Sequence, residues 1–213
     1  MDPINGMNLA VAAGVIAGGP GPGPEGLRLL TVFLGDPRRL TTVYVPEHVV
    51  PHVPEPGSHV LLRGVVWPQE DSVSGSLDLV VTRIDTRRPG RDRPGMSTVA
   101  LGGRTIAVPH LTHLPDGRTL ATFSVEMHMG ERIGYLGYTV VEPDLKDVAQ
   151  LPVASPLLAL GRLDVGPLLD GKGHTVIGFN ARLVELGDAE GAWRLVEAIS
   201  AEAVAWEAEE APS

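Results

Sequence analysis

The side chains able to do chemistry are few in this 213-residue chain, which has seven histidines and no cysteine. Without thiols there are no disulfides, no thiolate metal sites and no thiol catalysis. His110 and His113, in H-L-T-H, could meet on a loop as metal ligands, but no carboxylate stands at ligand spacing nearby. Ser124 and Ser155 lack a nucleophile-elbow setting, and no glycine-rich loop opens a helix in phosphate-binding form. The chain therefore reads as a non-enzyme that needs no cofactor. What remains is flat rings and guanidinium groups. Tyr44, Trp67 and Tyr135 can stack on nucleobases, while Arg28, Arg63, Arg118 and Arg162 can reach phosphates. Arg87, Arg88, Arg91 and Arg93 gather in one basic segment, T-R-R-P-G-R-D-R-P-G, over 86–95.

Most of these residues fall on strand-like stretches. S-P-L-L-A-L-G-R-L at 155–163 echoes S-H-V-L-L-R-G-V-V at 58–66, with Gly161 and Gly64 at the same offset from Ser. An internal repeat at this spacing of 97 residues points to one small β domain written twice. In the first copy, strands are expected at 7–16, 27–34, 40–45, 58–67 and 77–85, with a Pro-rich connector at 46–56. Gly18 to Gly26, rich in Gly and Pro, reads as a loop. In the second copy, Thr105-Ile106-Ala107-Val108 echoes Asn8-Leu9-Ala10-Val11. Strands follow at 118–126, 134–141, 155–163 and 174–186, with a short helix at 142–149 and a Gly-Lys-Gly turn at 171–173.

Asp188 can cap a final helix from Ala189 to about Glu210. Its Trp193, Val196, Ile199, Ala203 and Trp206 recur at three- and four-residue steps, a stripe expected to pack on its own domain or on a second subunit. The division expected is 1–86 for the first domain, 87–96 for an Arg/Pro/Gly linker, 97–187 for the second domain and 188–213 for an acidic helix and tail.

Residue alternation sorts the rings. Ala121, Phe123 and Val125 share a face that should be core, and Leu136, Tyr138 and Val140 do likewise, which leaves Tyr135 on the open side. In the first copy, alternation alone does not say which side of 40–45 is core, so Tyr44 is open between packing and stacking, as is Trp67.

The net charge is −9, unusual for a nucleic-acid binder. However, residues 188–213 carry seven acidic groups against Arg194, or −6, so residues 1–187 carry only −3. No apolar run reaches the 18 residues of a membrane span, and the start lacks the basic residues of a signal peptide, so the expectation is a cytoplasmic protein with no membrane partner.

Three stretches resemble bacterial single-stranded DNA-binding proteins of the SSB family. Met7-Asn8, Gly14 and Pro20 match the spacing that opens the family's first strand, and Gly117 to Val125 fits its second-strand pattern G-x-x-[VL]-A-x-F-x-[VL]. Leu157 to Leu163 leads into Gly-Arg-Leu as the family's fourth strand does. The resemblance implies an all-β chain of two tandem five-stranded OB-fold barrels plus a C-terminal α-helix. It further implies sequence-tolerant binding of single-stranded DNA in replication, repair or recombination, a homodimer presenting four barrels, and a stacking role near Tyr135. Family tails end in an acidic run closed by Pro-Phe that recruits replication and repair proteins; this chain ends E-A-E-E-A-P-S, acidic without Phe. With aromatics at 4%, binding is expected to be weaker than the family's and concentrated in the second copy. The competing expectation is an OB-fold interaction module, a primosomal or recombination accessory factor that binds protein and little or no DNA.

Overall fold

The computed structural model of the chain describes residues 7–69, 76–87, 96–129, 131–141, 150–167 and 175–210, with the side chains of 129 and 203–210 outside that description. The expected helix at 142–149, the turn at 171–173, most of the basic segment including Arg88, Arg91 and Arg93, and the side chains of Ala203 and Trp206 lie outside the described residues.

The first five strands are β1 (Asn8–Pro22), β2 (Leu27–Leu34), β3 (Arg39–Pro46), β4 (His59–Pro68) and β5 (Leu77–Thr86), with one 3-10 turn at Val50–His52 in the connector. Their order is β3-β2-β1-β4-β5, all antiparallel, and a parallel bridge from Tyr44 to Val80 joins β3 to β5. The strand ring closes, which removes exposed edges. Alternating apolar residues fill it: Leu30, Val32 and Leu34 from β2 face Val43 and Val45 from β3, all buried.

The next six are β6 (Ser97–Thr105), β7 (His110–His113), β8 (Thr119–Met129), β9 (Arg132–Val141), β10 (Pro156–Pro167) and β11 (Thr175–Leu186), followed by α1 (Ala189–Glu210). Here β9, β8, β6, β10 and β11 repeat the order of β3, β2, β1, β4 and β5. The chain is thus all-β, two OB-type barrels with a C-terminal helix.

Three local expectations are corrected. Gly18 to Pro22 is not loop: β1 continues along β2, pairing Gly18 with Thr31 and Pro22 with Arg28 through two register shifts. Its β4 pairing ends at Val15, with Ile16 still bonded to Gly57 and Ser58 on that side; the prolines come after this point, where a residue without an N–H is tolerated. Thr105 to Val108 is not the second copy's first strand; that strand is β6, and 106–109 is the bend after it. His110 and His113 lie on a strand, β7, paired with Thr122 and Thr119 of β8. β6 and β7 together do what β1 does in one piece, since β8 pairs with β6 at Val125 and Glu126 and with β7 farther along.

The two copies are fused through their first strands. Asn8 to Ala12 of β1 pairs antiparallel with Ser97 to Leu101 of β6, joining everything into one 11-stranded sheet over a continuous apolar core. The repeated glycine has a shared cause. At Gly64 the β4–β5 register skips Thr82, and at Gly161 the β10–β11 register skips Arg182. A Cβ at either glycine would overlap the bulged strand's backbone, at the carbonyl oxygens of Val80 and Asn180 respectively.

On α1, the Gly191 N–H donates to Asp188 Oδ1 at 2.8 Å, the expected cap. The packed face shares only Ile199 with the expected stripe among the described side chains. Leu195 is fully buried against Ala100, Leu158 and Leu160, with Ala192, Ala198 and Ile199 beside it, while Trp193 is 64% exposed and Val196 46%. Glu185, buried on β11, holds the helix in this rotation through Arg194 at 2.6 Å, and Glu202 reaches Thr98 and Arg182.

Candidate nucleic-acid interface

The β8–β9 ribbon turns one row of side chains into the barrel and the other out. Phe123 and Tyr138 point inward and stack at 5.5 Å, with Phe179 of β11 meeting Tyr138 edge-on. Burial raises the Tyr138 phenol well above its ordinary value. The outward row holds Ile133, Tyr135, Gly137, Thr139 and Val141 opposite His128, Glu126, Ser124, Thr122 and Leu120. Tyr135 is 61% exposed, and two residues along the strand Gly137 leaves its place on the face without a side chain. A ring flanked by such a gap and by hydroxyls at Ser124, Thr122 and Thr139 suits a stacked base.

The first copy presents an equivalent face. Tyr44 lies on the outward row of β3, opposite Leu29, and continues into Thr42–Thr31 and Leu40–Phe33. The sequence left its side open; burial of Val43 and Val45 decides it. Phe33, 39% exposed, was missed, although its parity against Leu30, Val32 and Leu34 marks it as outward. Trp67 is half-buried at the end of β4, and Arg132 from the second copy lies over its ring at 4.8 Å, a cation–π contact no local pattern announces.

The expected phosphate contacts are mostly engaged within the protein. Arg28 pairs with Glu47 at 3.1 Å, Arg63 with Asp85 at 2.9 Å, and Arg118 with Asp116 at 2.6 Å. The Arg118 hydrogen bonds hold the Asp116 carboxyl below its ordinary value. Exposed pairs of this kind are weak in water, so each arginine can exchange its carboxylate for a phosphate. Arg162 is exposed beside Arg182, whose pKa is lowered, first by burial and then by the Arg162 charge. Arg87 donates its backbone N–H to His59 O, at the end of β5. On the β8–β9 face itself, His128 Nε2 meets Glu126 Oε1 at 2.8 Å, so that carboxylate has a partner within the protein. Among the described residues no group of three His, Asp or Glu is placed to hold a metal ion, and no helix is long and apolar enough to cross a membrane.

No protein-family model matches the chain, and no curated relative matches it in sequence. Among solved structures, a deletion mutant of the single-stranded DNA binding protein from Thermus aquaticus superposes with a TM-score of 0.58 at 19% identity, over 85% of this chain and 94% of that one. The wild-type form of the same protein gives 0.58 at 17% identity, over 85% and 93%. At such identity the likeness is one of architecture: this chain shares the fold of the Thermus aquaticus single-stranded DNA binding protein over 85% of its residues.

Proposed function

We propose that the chain binds single-stranded DNA without strong sequence preference, serving replication, repair or recombination, through two OB domains at 1–86 and 97–187 joined by the Arg-rich segment 87–96. The observation that carries this is the open β8–β9 face, with Tyr135 standing out of a ribbon whose other large rings, Phe123 and Tyr138, are packed inside. The fold shared with a protein described as binding single-stranded DNA supports it, as does the second outward face carrying Tyr44 and Phe33.

A second reading, an OB-fold module that binds protein, or a homodimer contact of the same chain, is favoured by Trp193 and Val196 on the outer side of α1. One titration separates them. Oligothymidylate of about 30 nucleotides, near twice the upper site size of one OB fold, should quench intrinsic fluorescence at low salt and leave it unchanged for duplex DNA. Absence of quenching, together with a dimer by sedimentation that Trp193→Ser dissolves, would replace DNA binding with the assembly reading.

A further inference from the structure

The strongest unassigned feature is a cavity of about 390 Å³ where β3 and β5 of the first barrel meet the start of β11. Its polar lining includes Thr41, Thr42, Tyr44, Gln69, Asp78 and Thr175, and its remaining walls are mainly aliphatic. The site is held together by contacts between the two copies. Thr175 Oγ1 donates to Leu40 O at 2.7 Å, and Ile177 pairs with Leu77. Asp78 is the charged group among the lining residues, and Gln69 Nε2 donates to its Oδ1 at 2.7 Å. It stands close enough to Tyr44 for its charge to help raise the phenol's pKa, after burial.

The chemistry of that lining is selective. An ionised carboxylate only accepts hydrogen bonds, so a partly dry one seeks a ligand with donors. Among the described residues no Lys or Arg lines the cavity, so there a phosphate would meet a carboxylate without compensation. The lining thus favours a ligand that carries no negative charge and is rich in N–H along one edge, and on a bound single strand the group that meets this and can lie on Tyr44 is a base. Of the four DNA bases, guanine alone offers two adjacent donors, N1–H and N2–H, on its pairing edge. Thymine offers one N–H between two carbonyls; adenine and cytosine set their amino group beside an acceptor nitrogen that would face the carboxylate.

We infer that this cavity is a guanine-reading pocket: a guanine extruded from a bound single strand stacks on Tyr44 and donates from its pairing edge to Asp78, with its phosphates left outside. This rests on the single-strand reading above and adds to it a base preference held in the first copy. The full chain would be titrated with oligothymidylate and with the same strand carrying one central guanine, hypoxanthine, adenine or cytosine, and separately with free guanosine. The guanine strand is expected to bind about tenfold tighter than all-thymine, the scale of one good bidentate base contact. Hypoxanthine, which lacks the 2-amino group, should lose most of that gain, and Asp78→Asn should bring the guanine-to-thymine ratio to about one. Equal affinity for guanine and thymine strands, or a preference that survives D78N, overturns the pocket and leaves single-strand binding standing. Failure of every strand to bind overturns both. Guanosine alone binding as tightly as the guanine strand would make the cavity a nucleoside site and overturn the strand-borne source.

Discussion

At the residue scale, ring position decides what each aromatic can do. Tyr135 and Tyr138 are three residues apart on β9, yet one is 61% exposed and the other is packed between Phe123 and Phe179. Alternation predicted that split, because strand residues of opposite parity face opposite sides. Tyr135→Ala should weaken binding to oligothymidylate by about 1–3 kcal/mol, roughly 5- to 150-fold, without lowering the melting temperature. An unchanged affinity would move the contact surface elsewhere. Asp78 supplies a pH test. Burial raises its carboxyl pKa above the ordinary 3.8, with the Gln69 hydrogen bond opposing. The folded state thus favours the protonated form, and stability rises as pH falls through the raised value toward 3.8. Asp78→Asn, neutral throughout, should melt higher than the parent at neutral pH, and that gap should shrink on acidification; a gap that widens at low pH would contradict the assignment. Asp78 itself carried no sequence signal, because its setting comes from Gln69, Tyr44 and Thr175, far apart in the chain.

At the element scale, the glycine that marked the repeat is the seat of a bulge. Gly64 and Gly161 sit where β5 and β11 each carry one extra residue, and a side chain there would collide with backbone rather than with a movable group. Alanine at either position should cost about 1–3 kcal/mol, the usual range for overpacking, read from urea denaturation. Gly137→Ala serves as the contrast: its Cβ would meet nothing nearer than Phe123 O at 3.9 Å, so stability should hold or rise slightly. The bend after β6 shows where pattern failed. The echo between Asn8–Val11 and Thr105–Val108 was real as letters but false as structure, since β1 bends continuously while its counterpart breaks into β6 and β7. Proline content misled in the same way at Gly18–Pro22, because a proline's missing donor matters only where a neighbour needs it.

At the scale of the whole molecule, charge and fusion set how the protein can work. The acid is concentrated in the C-terminal 26 residues; Glu190 there and Glu185 on β11 tie down Arg194, while Glu202 of α1 ties down Arg182. Arg28, Arg63 and Arg118 begin inside ion pairs, so few positive charges displace counterions on binding. With about four phosphates contacted or fewer, the slope of log K against log salt should be no steeper than about −3 for single strands. A much steeper slope would mean that the segment 86–95 and its four arginines dominate the contact.

The sequence by itself determined most of the strands, though not β6 and β7, the inward rows of β8 and β9, the cap at Asp188 and the doubling of a barrel, because each is written in alternation, capping chemistry or repetition over a few neighbouring residues. Only the tertiary structure decided that the copies join through β1 and β6, that Arg132 covers Trp67, that a cavity opens beside Asp78, and which face of α1 docks. The helix makes the reason plain. Two faces that share Ile199, one with Trp193 and Val196 and one with Ala192 and Leu195, are both apolar enough to bury, and the choice fell to the shape of the sheet beneath and to buried Glu185, which holds Arg194. A local pattern names the faces a strand or helix can bury; long-range contacts select among them.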